Sequence, residues 1–411
     1  GVTFAQETPR RGDLACVPTG KNRGGGPPAS RGCNASRVMF IEPFKVEIWM
    51  NEWETKCTYN LAETCVASIT VDELLALSGR TGKDLSDLLP MKLGYGDIVG
   101  SPRLRTAIAA LYTKPHIDDI IITHGTIAAN MLVHKALVGR GDHVVAVTPT
   151  YQQHYSIPAS IDASVTTLGL REEDGFLPDL DHLRALVTPE TKLIALTNPN
   201  NPTGALIERP MLEDIVSIAD SVGAYLLCDE VYRGTGQEGD GMVPSIADLY
   251  DKGISTAGMS KVFSLAGLRI GWVVAPKELT EDILIHRDYD TISVGMINDH
   301  FAAMALENAE QILARSQRIT RENLAVVEAW IDNEPRVSWV KPRAGTTAML
   351  KLDIPITSRE FCIDLVQTTG VMLTPGDAFD MEGYARLGFA NDLPTIKVGL
   401  EKLSSYLRTT F

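Results

Sequence analysis

The chain reads as an α/β protein, with a mostly parallel sheet covered by helices in a large domain and a smaller α+β domain at the C-terminus. Three observations predict this. Apolar runs of strand length stand at 120–123, 143–148, 192–197, 224–229 and 270–275. Helical stretches such as 179–186 and 211–221 lie between them. Further on, the alternation gives way to a new unit beginning at 322–339, followed by a strand-like run at 346–352 and a helix at 358–368.

Residues 1–38 stand apart. They carry Arg10, Arg11, Lys21, Arg23, Arg31 and Arg37 against Glu7 and Asp13, with Gly-Gly-Gly-Pro-Pro at 24–28 and no apolar period. Such a composition buries too little apolar surface to order itself, so a disordered extension is expected. Two origins stay open: a basic mitochondrial targeting segment, or an upstream extension of a frame that starts at Met39. Without a targeting segment the expected location is the cytoplasm. The expected division is 1–38 as extension and 39–85 as an N-terminal segment serving the small domain and the active site. The large domain follows at 86–290, then a linking helix and the small domain at 291–411.

With 411 residues and 44% hydrophobic content, the chain can bury a large core. A net charge of −14 argues against nucleic acid or an anionic membrane surface as a partner. No apolar run reaches the ~18 residues of a membrane-spanning helix. Cys16, Cys33, Cys57, Cys65, Cys228 and Cys362 show no metal-ligand spacing, which fits a reducing compartment and no metal.

Each element has its local reason. Residues 40–53 place Phe44, Val46, Ile48, Trp49 and Trp53 at helical spacing. The β-branched run at 120–123 turns at Gly125 into a helical pattern carrying Ile127, Met131, Leu132 and Leu137. Free backbone amides at that helix start make an anion site at Gly125 and Thr126. After the run at 143–148 comes Tyr151, an aromatic face that can stack on a flat ring. The run at 192–197 ends in Asn-Pro-Asn-Asn-Pro-Thr-Gly, a rigid turn that presents Asn201. The run at 224–229 ends in Asp229, with Tyr232 three residues on. Residues 234–239 match the dinucleotide-binding glycine pattern, but no amphipathic helix follows, so they are expected to form a flexible loop.

The chemistry comes into focus at Lys261, in Ser-Lys-Val-Phe-Ser-Leu-Ala-Gly-Leu-Arg at 260–269. A lysine amine can form a Schiff base with a cofactor aldehyde, and pyridoxal 5′-phosphate (PLP) is the common one. Arg269 and Ser260 can hold its phosphate. PLP chemistry needs a carboxylate that keeps the pyridine nitrogen protonated, which Asp229 offers. Tyr232 and Asn201 can bond the ring oxygen. Arg386, near the C-terminus, suits a bidentate clamp on an amino-acid carboxylate.

In order and spacing, Tyr95 with Gly100, then Gly125, Tyr151, Asn201, Asp229, Tyr232, Lys261, Arg269 and Arg386 resemble the aspartate-aminotransferase-like family, fold type I, class I/II, over 40–411. The resemblance implies a seven-stranded-type sheet, PLP as cofactor, an amino acid and a 2-oxo acid as substrates, and a homodimer with shared active sites. It implies that Lys261 carries the Schiff base and shuttles a proton, and that Tyr95 reaches the phosphate held by a neighbouring subunit. Two positions depart from the family pattern. Gly258 stands where relatives carry a phosphate-binding hydroxyl, which Ser255 or Thr256 would replace. Glu63 stands where relatives often have a small residue facing the substrate. A carboxylate there would pair with a cationic substrate, cap a helix, or bridge to Lys56.

The leading expectation is an aminotransferase. The alternative is a PLP-dependent lyase or cyclase on the same scaffold, resembling capreomycidine synthase or aminocyclopropane-carboxylate synthase; residues 287–293 and the Ala-Gly-Leu-Arg-Ile-Gly-Trp stretch at 266–272 look similar to the former, which implies a basic amino acid as substrate. A non-catalytic homologue would have no chemical reason to keep Lys261, Asp229, Tyr232 and Arg386 together.

Overall fold

Seven strands form the central sheet of the computed structural model, which describes residues 40–411 apart from the side chain of Asp87. The reading of 1–38, with Cys16 and Cys33, lies outside the described residues. Across the sheet the strands run Ile120–Thr123, Gly271–Val274, Gly253–Gly258, Tyr225–Asp229, Thr191–Thr197, His143–Thr148 and Ser164–Gly169. All are mutually parallel except Gly271–Val274, which is antiparallel to both neighbours. Five of these strands follow from apolar runs; Gly253–Gly258 and Ser164–Gly169 do not. Gly253–Gly258 is fully buried yet reads Gly-Ile-Ser-Thr-Ala-Gly, because its hydroxyls are satisfied internally. Ser255 donates to Glu230 at 2.8 Å and Thr256 donates to Asn130 at 2.6 Å. Ser164–Gly169 is an edge strand with one buried side chain, so its hydropathy stays low.

A second, four-stranded antiparallel sheet runs Thr374–Pro375, Tyr384–Gly388, Thr347–Leu352 and Val337–Trp339. The N-terminal segment joins it. Tyr59–Asn60 pairs in parallel with Val371–Met372, and the indole of Trp49 donates to the Leu373 carbonyl at 2.9 Å. Trp49, Trp53 and Leu61 share one apolar core with Phe361, Leu387 and Leu403. The first helix is Lys45–Trp53, shorter than the apolar period suggests, because Pro43 precedes it.

The new unit expected to begin at Glu322 instead starts inside a long helix, which runs from Ala309 to Ile331. The polar stretch Arg315, Gln317, Arg318 and Arg321 masks its period, since Arg315, Gln317 and Arg321 bond to loop carbonyls and Arg318 pairs with Glu322 on the same helix. Ile312 packs in the core under the central sheet, whereas Leu324, Val327 and Ile331 pack with the C-terminal sheet. One helix thereby joins two cores.

The loop at 234–239 is tied down rather than free. The Arg321 guanidinium donates to the carbonyls of Gly236, Glu238 and Gly239, and no helix starts there.

Candidate active site

Register places the carboxyl ends of the parallel strands side by side, with Thr197 opposite Asp229 and Asp229 opposite Thr256. Ligands of open α/β sheets bind at this edge. A cavity of about 370 Å³ opens there, and ten of the residues singled out in the sequence line it: Glu63, Thr126, Tyr151, Asn201, Asp229, Tyr232, Ser260, Lys261, Arg269 and Arg386. Gly125 abuts it through Arg269. Tyr95 lies apart, 72% exposed, on another part of the surface.

Lys261 follows the end of Gly253–Gly258 and is partly buried. Its ammonium donates to the Thr64 hydroxyl at 2.5 Å and lies 3.6 Å from the Cys65 sulfur. Burial works against its charge, but Cys65, Tyr232 and Glu63 carry its pKa above the ordinary value. Cys65 itself is a neutral thiol, pushed up to about 11 by burial.

Asp229 is 4% exposed. One carboxylate oxygen accepts from Asn130 at 2.9 Å and the other from the Val231 amide at 3.2 Å. Burial lifts its pKa to about 6, against the pull of those two donors. Behind it His154 and His134 form a buried pair, 3.3 Å between ring nitrogens, with the far nitrogen of His154 3.9 Å from the carboxylate. Burial pushes His154 down to about 4, so a neutral imidazole backs the acid at neutral pH.

Arg386 is 2% exposed. It donates to Asn201 at 3.1 Å, to Thr374 at 3.2 Å and to the Ala62 carbonyl at 3.3 Å, while its Nε has no partner among the described residues. Tyr151 donates its hydroxyl to Glu47 at 2.6 Å and packs on Phe44. Tyr232 is buried against the cavity wall.

At the third corner, Gly125 starts a thirteen-residue helix at φ +75°, and a Cβ on it would lie 2.7 Å from the Arg269 guanidinium. Arg269 reaches Ser260 at 3.5 Å. The Thr126 hydroxyl is buried and unpartnered. A Cβ on Gly258 would fall 2.6 Å from that hydroxyl. Ser255 and Thr256 do not replace the hydroxyl absent at 258. Both are buried in the bonds described above and neither lines the cavity.

Glu63 corrects two expectations. It caps no helix, and Lys56 lies over the Trp53 ring instead of bridging to it. One Glu63 oxygen accepts from the amides of Thr64 and Cys65 at 2.7 and 2.8 Å. Burial opposes its charge, but Lys261 and those amides hold its pKa below the ordinary value.

Sequence reasoning missed Thr64, Asn130, His134 and His154. A signal existed for two of them. Thr126, Asn130 and His134 are spaced i, i+4, i+8, a polar stripe on an otherwise apolar helix.

The donor set fits PLP. Helix-start amides, an unpartnered Thr126 hydroxyl, Ser260 and Arg269 suit a phosphate, and a buried carboxylate, an aromatic face and a lysine share the same cavity. Among the described residues no cluster of His, Cys, Asp or Glu could hold a metal ion, and no helix is long and apolar enough to cross a membrane.

Comparisons with known proteins agree. The family model described as aminotransferase class I and II matches residues 88–403. Capreomycidine synthase of Streptomyces vinaceus is 30% identical over 367 residues, covering 89% of this chain and 93% of that protein. A PLP-dependent aminotransferase from Streptococcus suis 89-1591 superposes with a TM-score of 0.88 at 44% identity, over 91% of this chain and 99% of that one. The PLP-dependent cyclase OrfR superposes with a TM-score of 0.84 at 28% identity, over 92% of this chain and 100% of that one. With the lysine, the aspartate and the Gly125–Arg269 corner gathered at one sheet edge, and with a family match over most of its length, this chain belongs to the class I and II aminotransferases, enzymes of the PLP-dependent fold type I.

Proposed function

We propose that the protein transfers the amino group of an amino acid to a 2-oxo acid, with PLP joined to Lys261 as a Schiff base. The observation that carries this reading is the single cavity shared by Lys261, Asp229 and Arg386. When bound, PLP supplies an aldehyde for condensation with amines and a ring that accepts electrons. The chain supplies the rest. Gly125, Thr126, Ser260 and Arg269 hold the phosphate. Asp229 pairs with the ring nitrogen, with Asn130 and the Val231 amide fixing its orientation. Tyr232 and Asn201 bond the ring oxygen, and Tyr151 stacks on the ring. Arg386 clamps the substrate carboxylate, and Lys261 moves the proton at the substrate Cα.

A second reading is a lyase or cyclase on the same scaffold. Its support is the similarity, over nearly the full length, to capreomycidine synthase and to a PLP-dependent cyclase. In either case we take the working form to be a homodimer in which Tyr95 serves the neighbouring site. Its exposure beside Leu89 and Leu93, 84% and 75% exposed, supports an interface there.

The test uses amino acids labelled at the α-nitrogen, with pyruvate as acceptor. Transfer predicts the label in newly formed alanine. Label in ammonia, or retained in a cyclised product, favours the second reading.

A further inference from the structure

The first helix turns one face into the substrate cavity. Glu47, Met50 and Glu54, spaced i, i+3 and i+7, all line it together with Glu63. The three carboxylates are not equivalent. Glu47 accepts from Tyr151, and Glu63 accepts from two backbone amides beside Lys261. The Glu54 carboxylate, at the exposed mouth, makes no hydrogen bond or ion pair among the described residues. Burial, Glu63 and Glu47 together raise its pKa above the ordinary value.

A cluster of acids alone would say little about a ligand. The same cavity, however, holds Arg386, 2% exposed with its Nε unpartnered, and the unpartnered Thr126 hydroxyl. Both await anionic groups. Once Arg386 takes a substrate carboxylate, Arg269 a phosphate and Asp229 the ring nitrogen, every cation lining the cavity except Lys261 is matched. Lys261 is then the single cation left to face both Glu63 and Glu54, one positive charge against two carboxylates. A neutral or acidic substrate side chain would leave one of the two carboxylates unmatched, with the like-charge repulsion between them unrelieved.

We propose that Glu54, with Glu63, forms a subsite for the distal cation of a basic amino acid, and that Glu54 is a specificity-determining residue. The inference rests on the reading of the cavity as a PLP-dependent amino-acid site. It also assigns Glu63 a shared role, since its carboxylate already serves the Thr64–Cys65 turn, and gives the free charge to Glu54.

L-arginine and L-citrulline test it, being nearly isosteric and differing in charge. Each is titrated into the holoenzyme, and its dissociation constant is read from the cofactor absorbance. The wild type should favour arginine by about 10-fold or more, the worth of one charge-assisted contact. Glu54→Gln should bring the ratio to within about 2-fold of unity, mainly by weakening arginine, and Glu54→Lys should reverse it. Equal binding of the two by the wild type, or an arginine preference that survives both substitutions, overturns the proposal. A response to neutral amino acids but none to basic ones overturns it while leaving the parent reading standing. No response to any amino acid overturns both.

Discussion

Thr126 stands where a side chain at position 258 would need to be: its hydroxyl lies 2.6 Å from the point a Cβ on Gly258 would occupy. The hydroxyl is buried without a partner, on the first turn of the helix beginning at Gly125. A glycine at 258 and a threonine at 126 are therefore one arrangement, in which the Thr126 hydroxyl takes the room a side chain at 258 would need; on our proposal that hydroxyl, coming from the helix instead of the strand, would hold the phosphate. Thr126→Ala should weaken PLP binding by about 10-fold or more while barely changing the affinity for pyridoxal, which lacks the phosphate. Gly258→Ser should weaken it further through the clash, and the double variant Thr126→Ala/Gly258→Ser should recover part of the loss. Equilibrium binding of both ligands to apoprotein checks the cycle. Additive losses in the double variant would contradict the coupling.

Lys261 sets a pH dependence. Condensation with an aldehyde needs the neutral amine, and the surroundings of Lys261 hold its pKa above the ordinary lysine value. The neutral fraction then rises with pH through the whole accessible range. Reconstitution of apoprotein with PLP should speed up by about 10-fold per pH unit between about pH 6 and 9, without a plateau. Glu63→Gln, which removes the carboxylate facing the ammonium, should make it faster at any given pH. A rate independent of pH over that range would contradict the assignment.

Asp229 is costly to the cofactor-free fold. Its carboxyl is raised from 3.8 to about 6 by burial, so the folded state holds a proton that the unfolded state has lost. Stability of the apoprotein therefore falls as pH rises from about 4 to 6 and is flat above that. Asp229→Asn apoprotein should be more stable than wild type at pH 7.5, by up to about 3 kcal/mol, with the gap closing near pH 4. The same variant should bind PLP yet lose turnover by orders of magnitude, because the ring nitrogen lacks its anion. Urea unfolding at the two pH values, set beside single-turnover rates, measures both effects. An apoprotein no more stable than wild type at pH 7.5, or near-normal turnover, would count against the role.

Tyr95 predicts an assembly. Tyr95, Leu89 and Leu93 are 72%, 84% and 75% exposed, a cost that a two-fold interface would relieve. Light scattering at assay concentration should give at least a dimer, and Tyr95→Phe should weaken cofactor binding without dissociating it. A fully active monomer would contradict shared sites.

Much of this molecule was legible in its sequence, for identifiable reasons. Five strands of the central sheet are continuous apolar runs, the pattern of strands buried on both faces. The strand Gly253–Gly258 hid because a buried hydroxyl bonded to a buried carboxylate reads as polar in sequence. Lys261, Asp229 and Asn201 could be found because each sits beside a rigid local device, a strand end or a proline turn, whereas Arg386 lies in mid-strand and was found by its chemistry. Thr64 and His154 could not, since their partners are 197 and 75 residues away and no local pattern announces them. Glu47 and Glu54 are ordinary helix-surface acids until the fold turns that face into the cavity.

The central claim is that Lys261 carries the cofactor, and borohydride reduction of holoenzyme followed by peptide mass mapping tests it most directly. Reduction fixes the Schiff base as a stable secondary amine. The phosphopyridoxyl mass should appear on the peptide containing Lys261, and Lys261→Ala should show neither that adduct nor the cofactor–lysine absorbance. The adduct on another lysine, or cofactor absorbance retained at the wild-type level in Lys261→Ala, would contradict the account.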